Sequence, residues 1–144
     1  MPRDGSATRE KIMNAAEALI LERGYGGTSL DAVIERVGMT KGAFFYHFKS
    51  KNDLAVALIN RFAAADERIM RDSLARAEKL SSDPLQQLMI FFGLFVEMFE
   101  GLSEPYPGCL FAAYIYELQQ FDEGTRETVS HSFAAWREAL GEKI

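Results

Sequence analysis

The stretch LDAVIERVGMTKGAFFYHFKSK, residues 30–51, decides the fold of this chain. Gly38 supplies the backbone freedom that a tight turn demands, and Thr40 can cap a short helix that follows it. Ser50, with Asp53 three residues later, has the capping pattern that opens a further helix. Residues 30–37, before Gly38, have apolar side chains at helical spacing. This spacing predicts a short helix whose inward face consists of Leu30, Val33, Ile34 and Val37. Helix, tight turn and helix at this spacing form a helix-turn-helix unit.

Another helix is predicted before this unit. Thr8 can cap it and Gly24 ends it, while residues 1–7 form a short polar arm. Thr28, with Asp31 three residues later, is an acidic variant of the capping box and predicts the start of the second helix. The head of the chain is therefore predicted to contain three helices.

The remainder of the chain predicts a helical body. A long fourth helix reaches about Lys79, and a fifth over residues 85–101 has large apolar side chains on all sides. Such a helix belongs in the middle of a bundle. Two more helices are predicted over 108–121 and 124–140, and no alternation typical of strands occurs. The predicted fold class is all-α.

This pattern divides the chain into a helix-turn-helix head, residues 1–50, which the long fourth helix joins to a helical-bundle body, residues 51–144. Basic side chains outnumber acidic ones as far as Lys51, whereas acidic ones predominate afterwards and give a net charge of -5. The basic excess in the head is too small to predict nucleic-acid binding by itself. That prediction depends on the motif.

Several classes of function lack support in the sequence. The longest apolar run, residues 88–96, is shorter than the roughly 17 residues of a membrane-spanning helix, so no membrane contact is expected. The single cysteine, Cys109, and the absence of a secretion signal indicate a cytoplasmic protein. His47 and His131 lie outside any cluster with metal-ligand spacing, so we expect no metal and no cofactor. No catalytic constellation stands out, and an enzyme is not predicted.

In a helix-turn-helix the second helix lies in the major groove, with its first residues toward the base edges. Thr40 and Lys41 offer a hydroxyl, a cation and unpaired backbone donors to a phosphate, and Gly42 leaves room for close approach of DNA. Phe44 and Phe48 are expected to point inward. The outward positions are the predicted contacts with base edges and thymine methyl groups: Ala43, Tyr46 and His47.

This segment resembles the TetR family of bacterial regulators, and the resemblance extends over most of the chain. Its specific part comprises Gly24, Thr28, residues 37–42, Phe45, Phe48, Lys51 and Leu54. The resemblance implies phosphate contacts by Thr28 and Lys51. Phe45 stands where the family usually has tyrosine, so its contact with DNA is expected to be apolar at best.

The resemblance also implies a homodimeric repressor that a small-molecule effector, bound in the body, releases from a near-palindromic double-stranded DNA operator. The effector would shift the fourth helix and change the separation of the two recognition helices. The family's body usually continues through two further helices. We therefore expect either a truncated body or a different mode of dimerisation, with Phe133 and Trp136 exposed on the last helix for that purpose.

The body contains candidate effector contacts, although ordinary core packing is the commoner role for any one of its apolar side chains. The predicted effector contacts are Phe92, Phe95, Phe99, Tyr106, Cys109, Tyr114 and Glu117. Tyr116 is a further polar candidate.

Two alternatives to the effector-released repressor stay open. Cys109 follows Pro107 and Gly108 at a predicted helix start, where unpaired amides favour a thiolate, so it could sense oxidants or electrophiles. Buried cysteines are more often inert, and the apolar neighbours of Cys109 suggest burial. The other alternative is a helical ligand-binding or interaction module that does not bind DNA.

Overall fold

The computed structural model describes residues 5–144, and every regular element in that range is helical. Within it the chain forms seven α-helices, with a 3₁₀ helix over Leu118–Gln120 between the last two. The α-helices are α1 (Gly5–Arg23), α2 (Leu30–Val37), α3 (Lys41–His47), α4 (Lys51–Leu80), α5 (Pro84–Glu100), α6 (Leu110–Ile115) and α7 (Glu123–Gly141). The predicted all-α fold is confirmed. No helix of this range is long and apolar enough to cross a membrane.

The predicted starts of α3 and α4 are confirmed. The Thr40 hydroxyl accepts a hydrogen bond from the backbone N–H of Ala43 at 3.2 Å. The Ser50 hydroxyl accepts one from the N–H of Asp53 at 3.1 Å. Between α2 and α3, Gly38 has φ 75° and ψ 38°, the left-handed conformation that favours glycine. The turn of the helix-turn-helix therefore has the geometry that the sequence predicted.

Two other predicted helix starts are wrong. The N-cap of α2 is Ser29, whose hydroxyl accepts from the N–H of Ala32 at 3.1 Å, and Thr28 precedes the helix. Helix α1 already begins at Gly5, so Thr8 lies within it and residues 5–7 of the predicted arm are helical. Residues 1–4 of that arm lie outside the described residues.

The chain folds into two compact units, and α4 and α7 contribute to both. The first unit extends to Arg61 and also includes Pro107–Glu127, while the second comprises Phe62–Tyr106 and Thr128–Ile144. The division predicted at residue 50 placed α6 in the body. In the structure α6 packs within the same unit as the helix-turn-helix.

The first unit has a core to which distant parts of the chain contribute. Phe44 of α3 is completely buried, as is Tyr114 of α6. The Tyr114 ring stacks on Phe121 at a centroid distance of 4.2 Å, and its hydroxyl donates to the carbonyl of Ala55 at 2.8 Å. The helix predicted over residues 108–121 is interrupted after Ile115. This break returns Phe121 to the ring of Tyr114.

The second unit has a smaller core, formed by Met70, Leu74, Ala77 and Phe91 with Phe95 and Trp136 packed against it. Helix α5 contributes few buried residues to this core and exposes much of its apolar surface. The exposed side chains include Leu85, Met89, Phe92, Val96, Met98 and Phe99. The prediction that α5 lies in the middle of a bundle is wrong for this unit, because two further helical segments cover only one side of it.

Candidate nucleic-acid interface and effector cavity

Helix α3 has one buried side and one exposed side. Phe44 and Phe48 are 0% and 2% exposed and attach the helix to the core. Tyr46 is 78% exposed, and His47 beside it is half-buried. The other exposed residues are Thr40, Lys41, Gly42, Ala43 and Phe45. The residues predicted to contact DNA through this helix therefore share a surface, with the aromatic anchors behind them.

Arg9 of α1 holds the end of α3, a role for which its sequence neighbours contain no signal. Its guanidinium donates to the carbonyl of His47 at 3.1 Å and lies 4.2 Å from the centroid of the Phe48 ring. A cation at a helix C-terminus is favourable because the last carbonyls carry partial negative charge. The contact with the ring adds a cation–π attraction. Arg9 thus fixes α3 from behind and leaves its exposed surface accessible.

Lys41 is poised at the start of α3. Its ammonium lies 3.4 Å from the carboxylate of Asp31 on α2, and the two side chains are 72% and 76% exposed. An ion pair this exposed contributes little to stability. A DNA phosphate can therefore replace Asp31 as the partner of Lys41 at low cost.

Nothing within the described part of the protein requires glycine at position 42. A Cβ atom built on it meets nothing within 4 Å, and its φ is not positive. Neither internal packing nor backbone conformation therefore demands glycine at this exposed position. The predicted close approach of DNA is compatible with this open space.

Thr28 is placed differently from the sequence expectation of a phosphate contact. It is only 3% exposed, and its hydroxyl donates to the carbonyl of Gly24 at 2.8 Å. This bond closes the loop between α1 and α2, where Gly24 has φ 78°. The Thr28 hydroxyl is thus directed into the protein.

The Lys51 side chain also makes its contacts within the protein. Its ammonium donates to the carbonyl of Tyr25 at 2.6 Å and lies 4.1 Å from the centroid of the Tyr25 ring. Burial lowers the pKa of Lys51, while the nearby Glu117 carboxylate opposes that shift. In this structure Lys51, for which a phosphate contact is predicted, joins the α1–α2 loop to the start of α4.

Glu117 fastens the same loop from the other side. Its carboxylate accepts from the backbone N–H of Tyr25 at 2.6 Å and from that of Gly26 at 2.9 Å. A Cβ on Gly26 would lie 2.9 Å from the Glu117 Oε1 atom, so a larger residue there would force the carboxylate to shift from this position. Glu117, predicted to contact an effector, is here a support of the helix-turn-helix unit.

The second unit contains a cavity of about 300 Å³ between α4, α5, the segment after α5 and α7. Three of the predicted effector contacts line it: Phe95, Phe99 and Tyr106. Phe92 is 52% exposed and is not one of its lining residues. The other three candidates, Cys109, Tyr114 and Glu117, belong to the first unit. The structure therefore divides the predicted effector contacts between two places.

Asp66 also lines this cavity and is not among the residues predicted from the sequence. The sequence feature that could have indicated Asp66 is its position in α4. Phe62 and Ile69 lie four residues before and three residues after it, so Asp66 is a carboxylate within an apolar stripe. A charge at such a position is unusual enough to mark a candidate site.

Trp136, which was expected at a dimer surface, also lines the cavity. It is half-buried, and its ring packs against Phe91 and Phe95 at centroid distances of 5.8 and 5.6 Å. Its indole is therefore part of the interior of the second unit. Phe133 of the same helix is 51% exposed.

Known proteins share this architecture. Residues 12–58 match the family described as "Bacterial regulatory proteins, tetR family". An HTH-type transcriptional regulator in the lacX 3'region of Lactococcus lactis subsp. lactis is 28% identical over 138 residues, which are 95% of this chain and 68% of that regulator. The HTH-type transcriptional repressor DhaR of Mycobacterium sp. (strain GP1) is 25% identical over 128 residues, 89% of this chain and 61% of the repressor.

The crystal structure of a transcriptional regulator of the TetR family from Agrobacterium tumefaciens superposes with a TM-score of 0.73 at 25% identity. The match covers 97% of this chain and 72% of that one. The chain belongs to the TetR family of bacterial regulatory proteins. It is a transcriptional regulator whose N-terminal helices form a helix-turn-helix, and it spans about two thirds of the length of these TetR-family relatives.

Cys109 of this TetR-family chain is a free, half-buried thiol. It is the N-cap of α6, where its side chain makes no capping hydrogen bond. Helix α6 has only six residues, so its macrodipole is short. No group of three or more His, Cys, Asp or Glu in the described part of the chain could hold a metal ion.

Proposed function

We propose that this TetR-family regulator is a repressor, and that it binds a near-palindromic operator in bacterial cytoplasm as a homodimer with one α3 helix in each major groove. The observation that carries the proposal is the two-sided construction of α3. Phe44, Phe48 and Arg9 fix its inner side, while its outer side is exposed. A dimer with two such helices would read half-sites roughly 34 to 36 Å apart.

The outer side of α3 supplies two classes of contact. Thr40, Lys41 and the backbone N–H groups at the start of the helix would bind phosphate, and Gly42 would allow the DNA backbone to approach. The contacts with base edges and thymine methyl groups would come from Ala43, Phe45, Tyr46 and His47. We assign Thr28 and Lys51 to support of the loop behind α2 because both are engaged there.

The effector would bind in the cavity of the second unit. This placement is supported by the apolar and aromatic lining, which includes Phe95, Phe99 and Tyr106. Ligand pockets in proteins generally combine such a lining with a few polar groups. Because α4 lines the cavity and also begins directly after α3, a ligand there would act on the helix that continues into the DNA-binding unit. Repression would end when the bound effector lowers operator affinity.

The experiment that tests DNA binding starts with the selection of bound sequences from random duplex DNA. The affinity for the recovered site is then measured over a series of salt concentrations. Lys41→Ala should lower affinity and reduce the magnitude of the slope of log K against log salt by about one, because one phosphate contact is lost. Lys79→Ala, at the exposed end of α4, removes the same charge and should leave the slope unchanged.

Three results would contradict parts of the proposal. The recovered sites would lack two-fold symmetry if a monomer read the DNA. If no duplex bound in a salt-dependent manner, the chain would instead be a helical ligand-binding or interaction module. Equal slopes for Lys41→Ala, Lys79→Ala and the parent chain would show that α3 does not contact the phosphate backbone through Lys41.

A further inference from the structure

The cavity of the second unit has an unusual chemical composition. Aromatic and aliphatic side chains form most of its wall, among them Phe62, Phe95, Phe99, Tyr106 and Trp136. Of the described residues that line it, only Asp66 bears a formal charge at neutral pH. A single carboxylate in an apolar wall is the arrangement from which a preference among ligands can arise.

The carboxylate of Asp66 is held in place within the wall. Its Oδ2 atom accepts a hydrogen bond from the indole N–H of Trp136 at 2.6 Å. An ionised carboxylate has about four acceptor positions, so this bond leaves acceptor capacity for a ligand. The Trp136 ring is itself fixed by Phe91 and Phe95. The position of the charge is therefore determined before any ligand binds.

No cation of the described chain neutralises this carboxylate, since none of its ion pairs involves Asp66. Burial raises the pKa of Asp66, and the nearby negative charge of Glu67 raises it further, while the Trp136 hydrogen bond acts in the opposite direction. Asp66 is half-buried. A carboxylate that is partly removed from water and has no positive partner is destabilised, and a cationic ligand would relieve that cost.

We propose that this cavity binds lipophilic cations: small molecules with an apolar body and one protonated amine. The amine would donate to the Asp66 carboxylate, and the aromatic side chains, Tyr106 and Phe99 among them, would surround the apolar body. Aromatic faces also attract cations directly. This inference rests on the proposed function only in that the cation would serve as the effector.

The test uses the full chain and three molecules of nearly equal shape: 1-adamantylmethylamine, 1-adamantanemethanol and 1-adamantanecarboxylate. The sequence contains a single tryptophan, Trp136, which lines the cavity and so reports binding through its fluorescence. The amine should bind at least about tenfold more tightly than the alcohol, since a charge-assisted hydrogen bond is roughly twice as strong as a neutral one. The carboxylate should bind most weakly, because like charges repel.

Asp66→Asn separates the role of the charge from that of the shape. The asparagine side-chain oxygen can still accept from Trp136, so the fold should persist, as circular dichroism would verify. This variant should bind the amine about tenfold less tightly and the alcohol as before. Asp72→Asn, an exposed substitution farther along α4, is the matched control and should retain the preference for the amine.

The inference is overturned if the amine and the alcohol bind equally, if Asp66→Asn keeps the preference for the amine, or if none of the molecules changes Trp136 fluorescence at millimolar concentration. Operator affinity is measured separately. Operator binding with no preference for the amine would leave the proposed DNA-binding function intact and overturn only the cavity assignment. Binding of the amine without any operator binding would support the cavity assignment and contradict the proposed DNA-binding function.

Discussion

Individual side chains in this protein divide into those that support the recognition helix and those that it exposes. Lys51 and Lys41 show the difference, since the first is turned inward to the carbonyl of Tyr25 and the second lies exposed at the start of α3. Both are lysines at helix N-termini; a phosphate contact was predicted for Lys41 from the start of its helix and for Lys51 from the family resemblance. The space around each ammonium distinguishes them.

Gly42 provides the sharpest prediction at the residue scale. Gly42→Ala should leave the protein as stable or raise its free energy of unfolding by up to about 1 kcal/mol, because alanine favours helix and the added methyl group meets no atom of the protein. The same variant should bind operator at least about tenfold more weakly if DNA approaches the backbone here, a loss of about 1.4 kcal/mol. Thermal unfolding and a binding titration measure the two effects.

Gly141→Ala, at the end of α7, is the control for this prediction. A Cβ there also meets nothing within 4 Å, but the position lies in the second unit. This variant should change the free energy of unfolding little and leave operator affinity unchanged. Unaltered DNA binding by Gly42→Ala would mean that the glycine is not needed for contact with DNA.

At the scale of elements, side-chain caps determine where helices start. Thr40, Ser50 and Ser29 each accept a backbone N–H at the first turn of a helix. Asp122 does the same for α7 and in addition joins it to α4. Its carboxylate accepts from the N–H of Thr125 at 2.8 Å and from the Asn52 amide at 3.0 Å.

These hydrogen bonds hold the pKa of Asp122 below its ordinary value of 3.8. A lowered pKa in the folded state means that the ionised form stabilises the fold. That contribution is present above pH 3.8 and is lost as the pH falls through the lower folded value. Asp122→Asn should therefore be less stable than the parent at pH 7, and the difference should shrink as acid titrates the carboxyl group.

Chemical denaturation at several pH values measures this prediction. Asparagine still caps helices well, so the variant isolates the charge of Asp122 from its capping oxygen. Asp72→Asn, which removes an exposed carboxylate from α4, controls for the change in net charge. A stability difference that is independent of pH would show that the carboxyl charge of Asp122 has no part in the effect.

At the scale of the whole molecule, the helix-turn-helix does not stand alone. Residues 107–127 belong to the same compact unit, although they come from the later part of the chain. Tyr25 is buried by this segment, with its ring 6.2 Å from that of Tyr114 and 4.4 Å from that of Phe121. Glu117 adds the two hydrogen bonds to the loop. The stability of the DNA-binding unit therefore depends on a distant segment.

Tyr114→Ala tests this dependence in the full chain. Loss of a completely buried aromatic ring should lower the free energy of unfolding by about 3 to 5 kcal/mol. Hydrogen exchange should become faster in α1, in α2 and in the loop between them, because Tyr25 loses a neighbour. Tyr116→Ala, 84% exposed and two residues away, should have little effect. Faster exchange confined to α6 would contradict the prediction.

The sequence alone determined the helical fold, the glycine turn at Gly38 and the caps of α3 and α4. Those features depend on periodicity and on residues within three or four positions of each other, which a single sequence displays. It also indicated which aromatic residues of α3 point inward. Of the four residues predicted to face inward on α2, Leu30 and Val37 are half-exposed in the structure.

The tertiary structure decided which partners the side chains of Thr28, Lys51, Glu117 and Asp66 contact. Glu117 and Tyr25 meet although 92 positions separate them, and Trp136 reaches Asp66 across 70. Contacts at such separations depend on how whole helices pack, so the identity and local spacing of these residues do not reveal them. The same distinction explains α5, because an all-round apolar pattern indicates that a helix should be covered but not which of its sides the chain's own helices cover.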